Sequence, residues 1–100
     1  MRLWPLILLV AACQTPPVPS LDPTLAQKYQ ASCAACHETG AADAPRAHDS
    51  AEWSRRTRRG VDALVQSVKH GTTAMPPRGM CQDCDDAHLR AIVEYMIAPH

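Results

Sequence analysis

Apolar residues recur at helical spacing in three stretches of this chain, and turn-forming residues separate them. The first stretch opens at Asp22, a good N-cap, followed by Pro23 at the first helical position. Leu25, Tyr29 and Cys33 then repeat every four residues on one face. This predicts a helix ending between His37 and Gly40. Gly40, Asp43 and Pro45 punctuate a loop over 40–48. Asp49 with Glu52 three residues later resembles a capping box and predicts a short helix. Gly60 breaks the chain again, and Val61, Leu64, Val65 and Val68 form an amphipathic stripe that stops at Gly71. Residues 71–84 carry two glycines and Pro76-Pro77, too many turn residues for regular helix or a central strand. A last helix starts at Asp85 or Asp86, buries Leu89, Ile92, Val93, Met96 and Ile97, and ends before Pro99. No segment alternates as a strand does. The pattern predicts an all-α fold with helices wrapped around something other than their own side chains.

Composition explains that last clause. The chain has 100 residues, no Phe, two Trp, two Tyr and nine Pro. A domain of this size buries a modest share of its surface and needs a staple or a cofactor to complete a core. The N-terminus, MRLWPLILLVAAC, is shorter than the roughly 20 apolar residues of a membrane span. Its basic start, short apolar run and small residues match an export signal. Val10-Ala11-Ala12-Cys13 resembles a bacterial lipobox, in which cleavage precedes a cysteine whose thiol carries a diacylglycerol. Gln14 after it favours the outer membrane of a Gram-negative cell. This divides the chain into a signal peptide at 1–12, a lipidated N-terminus and stiff Pro-rich tether at 13–22, and a folded domain at 23–100. Ten basic and ten acidic residues balance, which gives no argument for nucleic-acid binding. The run RRTRR, Arg55 to Arg59, reads more readily as a solvated helix face than as a docking site.

Five cysteines are an odd number for an exported protein. Lipidation accounts for Cys13. The stretch CAACH, residues 33–37, has the C-x-x-C-H spacing of covalent haem attachment, which accounts for Cys33 and Cys36. Cys81 and Cys84 remain, close enough in sequence to reach one another in an oxidising compartment. Rival readings of the central pair fare worse. A thioredoxin-type dithiol belongs at a helix start after a strand, and here the pair ends a helical pattern. A four-thiolate zinc site would join two pairs separated by 44 residues and leave His37 without a role. With haem, the i, i+3 thiols lie on one side of a turn and take the two vinyl groups, while His37 approaches the iron.

A second axial ligand has to come from elsewhere. His48, His70, His88, His100 and Met96 have weak claims. His88 sits in a helix first turn, and Met96 lies on an apolar stripe where packing explains it. Met75 stands on a loop that Pro76-Pro77 holds extended, and its thioether is a soft, neutral ligand that raises a haem potential. Met80 offers the same chemistry with weaker support.

These residues together resemble a class I c-type cytochrome, and within that class the cytochrome c5 group. The haem signature is general. AMPPRGMCQDCDDAHLRAIVEYM, residues 74–96, is more discriminating, since it is similar to the group's Met-Pro-Pro-basic-Gly loop, cysteine pair and C-terminal helix. The resemblance runs from about residue 24 to 98. It implies Met75 as sixth ligand, a Cys81–Cys84 disulfide, and Tyr29 and Tyr95 on terminal helices crossing beside the haem. It also implies that Pro45 offers its carbonyl to the other ring nitrogen of His37, and that the Trp53 indole N–H reaches a propionate, beside an equally weighted packing reading. Arg56 and Arg78 are expected to offset propionate charge or else to be solvated. Two departures stand out: the family's second loop glycine is Met80 here, and ADAPR replaces a stretch around residue 44 that often holds glycine.

The expected function is single-electron transfer by one covalent, His37/Met75-ligated haem c, not an enzyme activity. The alternatives are haem-based binding of a diatomic ligand and an accessory haem subunit of an oxidoreductase complex. Expected partners are periplasmic or membrane redox proteins, the membrane itself through the lipid on Cys13, and a second copy in a weak homodimer, without nucleic acid. The expected location is the periplasmic side of a bacterial membrane.

Overall fold

Asp22 opens the first helix as the sequence predicts: its carboxylate accepts from the Leu25 N–H at 2.8 Å, with Pro23 in the first turn. In the computed structural model, which describes residues 2–7, 9 and 20–99, five α-helices follow. They are α1 (Pro23–Ser32), α2 (Ala34–His37), α3 (Ser50–Arg56), α4 (Val61–His70) and α5 (Asp86–Ile97). Short 3₁₀ turns at Ala41–Asp43, Thr57–Arg59 and Pro77–Met80 join them. No strand occurs among the described residues, so the fold is all-α.

The predicted first helix is in fact two. Cys33 leaves ideal helical geometry (φ −102°, ψ −37°) and caps both α1 and α2, so the attachment pair sits across a joint. At α3 the capping pattern is half realised. Asp49 accepts from the Glu52 N–H at 3.3 Å, but the Glu52 carboxylate turns to Arg55 and Arg56 instead. Those guanidinium groups hold the Glu52 carboxyl below its ordinary range. The complete capping box is at α5, where the Asp85 carboxylate accepts from the His88 N–H and the His88 ring accepts from the Asp85 N–H.

The core lies where α4, α5 and α1 meet. Tyr29, Leu64, Val65, Leu89, Ile92, Val93 and Met96 are buried together, with Val61 and Val68 against them. Both amphipathic stripes predicted from the sequence therefore face inward. Tyr29 of α1 meets Tyr95 of α5 edge to face, with ring centroids 5.3 Å apart. Surface pairs tie the elements outside this core: Lys28 to Asp83 and Lys69 to Asp86, each lysine holding its carboxyl below the usual range. Arg90 pairs with Asp62, linking α5 to α4.

The expected lipidation residue Cys13, the cleavage region 10–13, most of the tether and His100 lie outside the described residues. Of the expected signal segment, Leu3, Trp4, Leu6, Ile7 and Leu9 are exposed and outside any helix. No helix among the described residues is long and apolar enough to cross a membrane.

Met80 adopts φ +65°, the left-handed region in which a side chain is disfavoured by roughly 1–2 kcal/mol. Glycine adopts this backbone form without a Cβ penalty. Met80 is 71% exposed, so little packing is lost on truncation. Met80→Gly is expected to stabilise the domain by up to about 1 kcal/mol, after glycine's extra chain entropy is offset. A urea midpoint measured beside the wild type checks it; a lower midpoint would show that the side chain contributes packing.

Candidate functional site

The joint at Cys33 gives the two thiols different surroundings. Cys33 is buried and Cys36 exposed, and both are free. Burial pushes the Cys33 thiol up. His37 closes α2 and is 6% exposed. Its Nδ1 lies 2.8 Å from the Pro45 carbonyl oxygen. A carbonyl only accepts, so Nδ1 carries the proton and Nε2 keeps its lone pair for a metal.

The chain reaches this contact by a sharp turn. Gly40 takes φ +78°, and the Ala47 N–H donates back to the His37 carbonyl at 2.7 Å. Further along, the His48 N–H donates to Met96 O at 2.7 Å, and its ring Nδ1 lies 2.6 Å from Ala98 O, fastening the loop to the end of α5. The His48 ring also packs edge to face on Tyr95. His48 is therefore a structural clamp. His70 is exposed in the last turn of α4, and the His88 ring is engaged in the α5 capping box.

Met75 approaches the attachment pair through Gly79. A Cβ built on that buried glycine would lie 3.5 Å from the Met75 Cε and 3.9 Å from the Cys33 Sγ. The thioether tip and the buried thiol flank the same small spot, while Met80 stands at the surface and Met96 in the core. Reciprocal contacts shape the Met75 turn: Thr72 N–H to Met75 O at 2.9 Å and Met75 N–H to Thr72 Oγ1 at 3.2 Å. Gly71 permits it. With φ +80°, any Cβ there would sit 2.8 Å from the Pro77 nitrogen and 2.9 Å from Met75 O. Sequence reasoning marks Gly71 only as a helix stop; the backbone approach that excludes a side chain has no signal in the local pattern.

Cys81 and Cys84 are joined by a disulfide, Cα–Cα 5.4 Å, and both are almost fully buried. With their sulfurs bonded to each other, the nearby Asp83 does not complete a metal site with them. Arg78 donates to the Cys84 carbonyl at 2.9 Å and lies 3.6 Å from Asp86, tying the Met75 loop to the disulfide and to α5. Arg56 pairs with Glu52 at 2.9 Å. Of the two equally weighted readings of Trp53, the geometry favours packing: its ring is buried, and its single N–H donates to Arg46 O at 2.8 Å. Near the attachment pair, the Tyr29 hydroxyl donates to Glu38. Burial and that carboxylate push the phenol well up, holding it neutral.

The donor set fits a covalently held haem: two free thiols at i, i+3, an imidazole with Nε2 available, and a thioether beside the buried thiol. Comparison with known proteins agrees. Residues 22–96 match the family described as cytochrome c oxidase, cbb3-type, subunit III. A cytochrome c5 of Azotobacter vinelandii is 44% identical over 66 residues, 64% of this chain and 80% of that protein. A mono-haem ferrocytochrome c from Shewanella putrefaciens superposes with a TM-score of 0.68 at 45% identity, covering 76% of this chain and 94% of that one. A cytochrome c solved in an electron transfer complex with nitrite reductase gives the same TM-score at 42% identity, covering 78% and 95%.

Proposed function

The chain belongs to the class I c-type cytochromes, in the cytochrome c5 group, and from that premise we propose how its residues perform the group's work. Its function is single-electron transfer with one covalently bound haem c, and it is an electron-transfer protein rather than an enzyme. In the proposal, Cys33 and Cys36 would hold the haem through thioethers, and His37 Nε2 and the Met75 sulfur would ligate its iron. When bound, the haem iron supplies the change between ferric and ferrous states.

The observation that carries the ligand assignment is that the Met75 Cε and the Cys33 Sγ both lie within 4 Å of the Cβ position at Gly79. Pro45 keeps the imidazole oriented by accepting its Nδ1 proton, which raises the basicity of the ligating nitrogen. The Thr72 and Gly71 contacts fix the Met75 backbone before any ligand bond forms, so little rearrangement is needed between oxidation states. Arg56 and Arg78 keep donors beyond their protein partners, and in this reading they offset propionate charge.

Redox proteins are its partners. The relative seen with nitrite reductase supports the narrower reading that a terminal reductase is one of them. The c5 and c-555 relatives support a periplasmic location, and Val10-Ala11-Ala12-Cys13 supports an anchor in the outer membrane. Cys13→Ser is expected to abolish lipid labelling and release protein with an unchanged haem spectrum. Labelling that persists without Cys13 would exclude this anchor while leaving the haem reading intact.

The test of function is the intact mass of the purified mature protein after acid–acetone extraction, together with its voltammetry. One haem is expected to remain bound, since Cys81 and Cys84 are bonded to each other and followed by Asp85 rather than histidine. A reversible one-electron wave is expected with it. Extraction of all haem would exclude thioether attachment.

A further inference from the structure

The Pro45 carbonyl is useful to His37 only if it keeps its direction, and proline alone does not ensure that. The ring fixes φ of Pro45, but the carbonyl belongs to the planar peptide between Pro45 and Arg46, which still turns about ψ of Pro45 and φ of Arg46. The segment has to be held beyond that peptide. Three bonds do so. Ala47 N–H returns to the His37 carbonyl at 2.7 Å, and the Arg46 carbonyl accepts from the Trp53 indole N–H at 2.8 Å and from the Asp49 N–H at 3.2 Å. The Arg46 side chain adds a bond to Thr39 O at 2.9 Å, on the other limb of the turn.

Of the two bonds on Arg46 O, the Trp53 one is the shorter and is made by a side chain. Trp53 sits in the middle of α3, 6% exposed within the core, and its ring has no freedom to follow a drifting loop. We infer that Trp53 is a positioning residue for the iron: by fixing Arg46 O it fixes the adjacent peptide, keeps Pro45 O on the His37 Nδ1–H, and thereby sets the donor strength of His37. The inference rests on the haem reading of His37. Weakening the His37–Pro45 bond makes the imidazole a poorer donor, and a poorer donor stabilises the ferric state less. The reduction potential then rises.

The experiment uses the mature haem protein with Trp53 replaced by β-(3-benzothienyl)alanine, which keeps the bicyclic shape and has no N–H. Trp53→Phe is the genetically simple companion, and 5-fluorotryptophan, which retains the N–H, is the control. Two quantities are read: the reduction potential, and the exchange rate of the His37 Nδ1 proton in the ferrous protein by NMR. Without the indole donor, the potential is expected to rise and the proton to exchange faster by about tenfold, the order of effect of one hydrogen bond. The fluorotryptophan protein should match the wild type in both. If the benzothienyl protein melts lower while its potential and proton exchange stay at wild-type values, Trp53 only packs the core and the inference is wrong. If the wild type itself shows no iron-bound imidazole, the reading of His37 falls, and this inference with it. Should Trp53→Phe fail to fold, the benzothienyl protein still decides, because its ring fills the same space.

Discussion

Replacing Met75 by alanine is expected to remove the weak long-wavelength ferric band of methionine–iron ligation, open the reduced protein to carbon monoxide and lower its potential. Three features combine to give so large an effect. The Met75 tip shares the Gly79 spot with the Cys33 thiol, the turn that carries it is fixed by Thr72 and Gly71, and no other described methionine is placed to replace it. Met80 points to solvent at 71% exposure, and Met96 is buried at 3% in the core. Loss of a soft neutral sulfur in favour of water or a stronger donor should move the potential down by on the order of 100 mV, within the roughly 0.8 V that axial ligands span. Met80→Ala should leave the band, the slow carbon monoxide reaction and the potential in place. If Met80→Ala removes the band and Met75→Ala does not, the ligand assignment is reversed. A wild type that lacks the band and binds carbon monoxide rapidly would favour the ligand-binding function over the electron shuttle.

Serine at both Cys81 and Cys84 is expected to cause the largest loss of stability short of losing the haem. Chain entropy for so short a loop gives about 2 kcal/mol. The two cysteines are also 1% and 2% exposed, so two hydroxyls would enter the core, each costing about 1–3 kcal/mol where no partner is found. For a domain of this size, about 4–8 °C accompanies each kcal/mol. The melting temperature should therefore fall by at least about 10 °C. Haem should remain attached, because Cys33 and Cys36 are on another element. Arg78 holds the Cys84 carbonyl, so the variant should also admit carbon monoxide more readily than the wild type as the Met75 loop loosens. Two reactive thiols in the untreated protein, or a melting temperature within a degree or two of wild type, would show that this bond does not restrain the loop.

The sequence by itself determined the elements and the chemistry. Helical period put Leu64, Val65, Leu89, Ile92, Val93 and Met96 inward, and all are buried. Asp22, Asp85 and Gly71 marked helix ends because capping and left-handed turns depend on residues a few positions away. C-x-x-C-H named its cofactor by spacing alone. Its readings of the distant contacts were weaker. Met75 and Met80 are five residues apart with the same side chain, and only the folded loop sends one inward and the other to solvent. The partner of Trp53 stayed open between packing and a propionate for the same reason: its acceptor is a backbone carbonyl, which every residue carries and no side-chain pattern marks. The His48 clamp on Met96 and Ala98 joins segments far apart in the chain, and the closeness of Gly71 to Pro77 comes from the path of one loop. Local periodicity records which face of a helix is apolar; which backbone groups that face brings together is decided only when the helices close on one another.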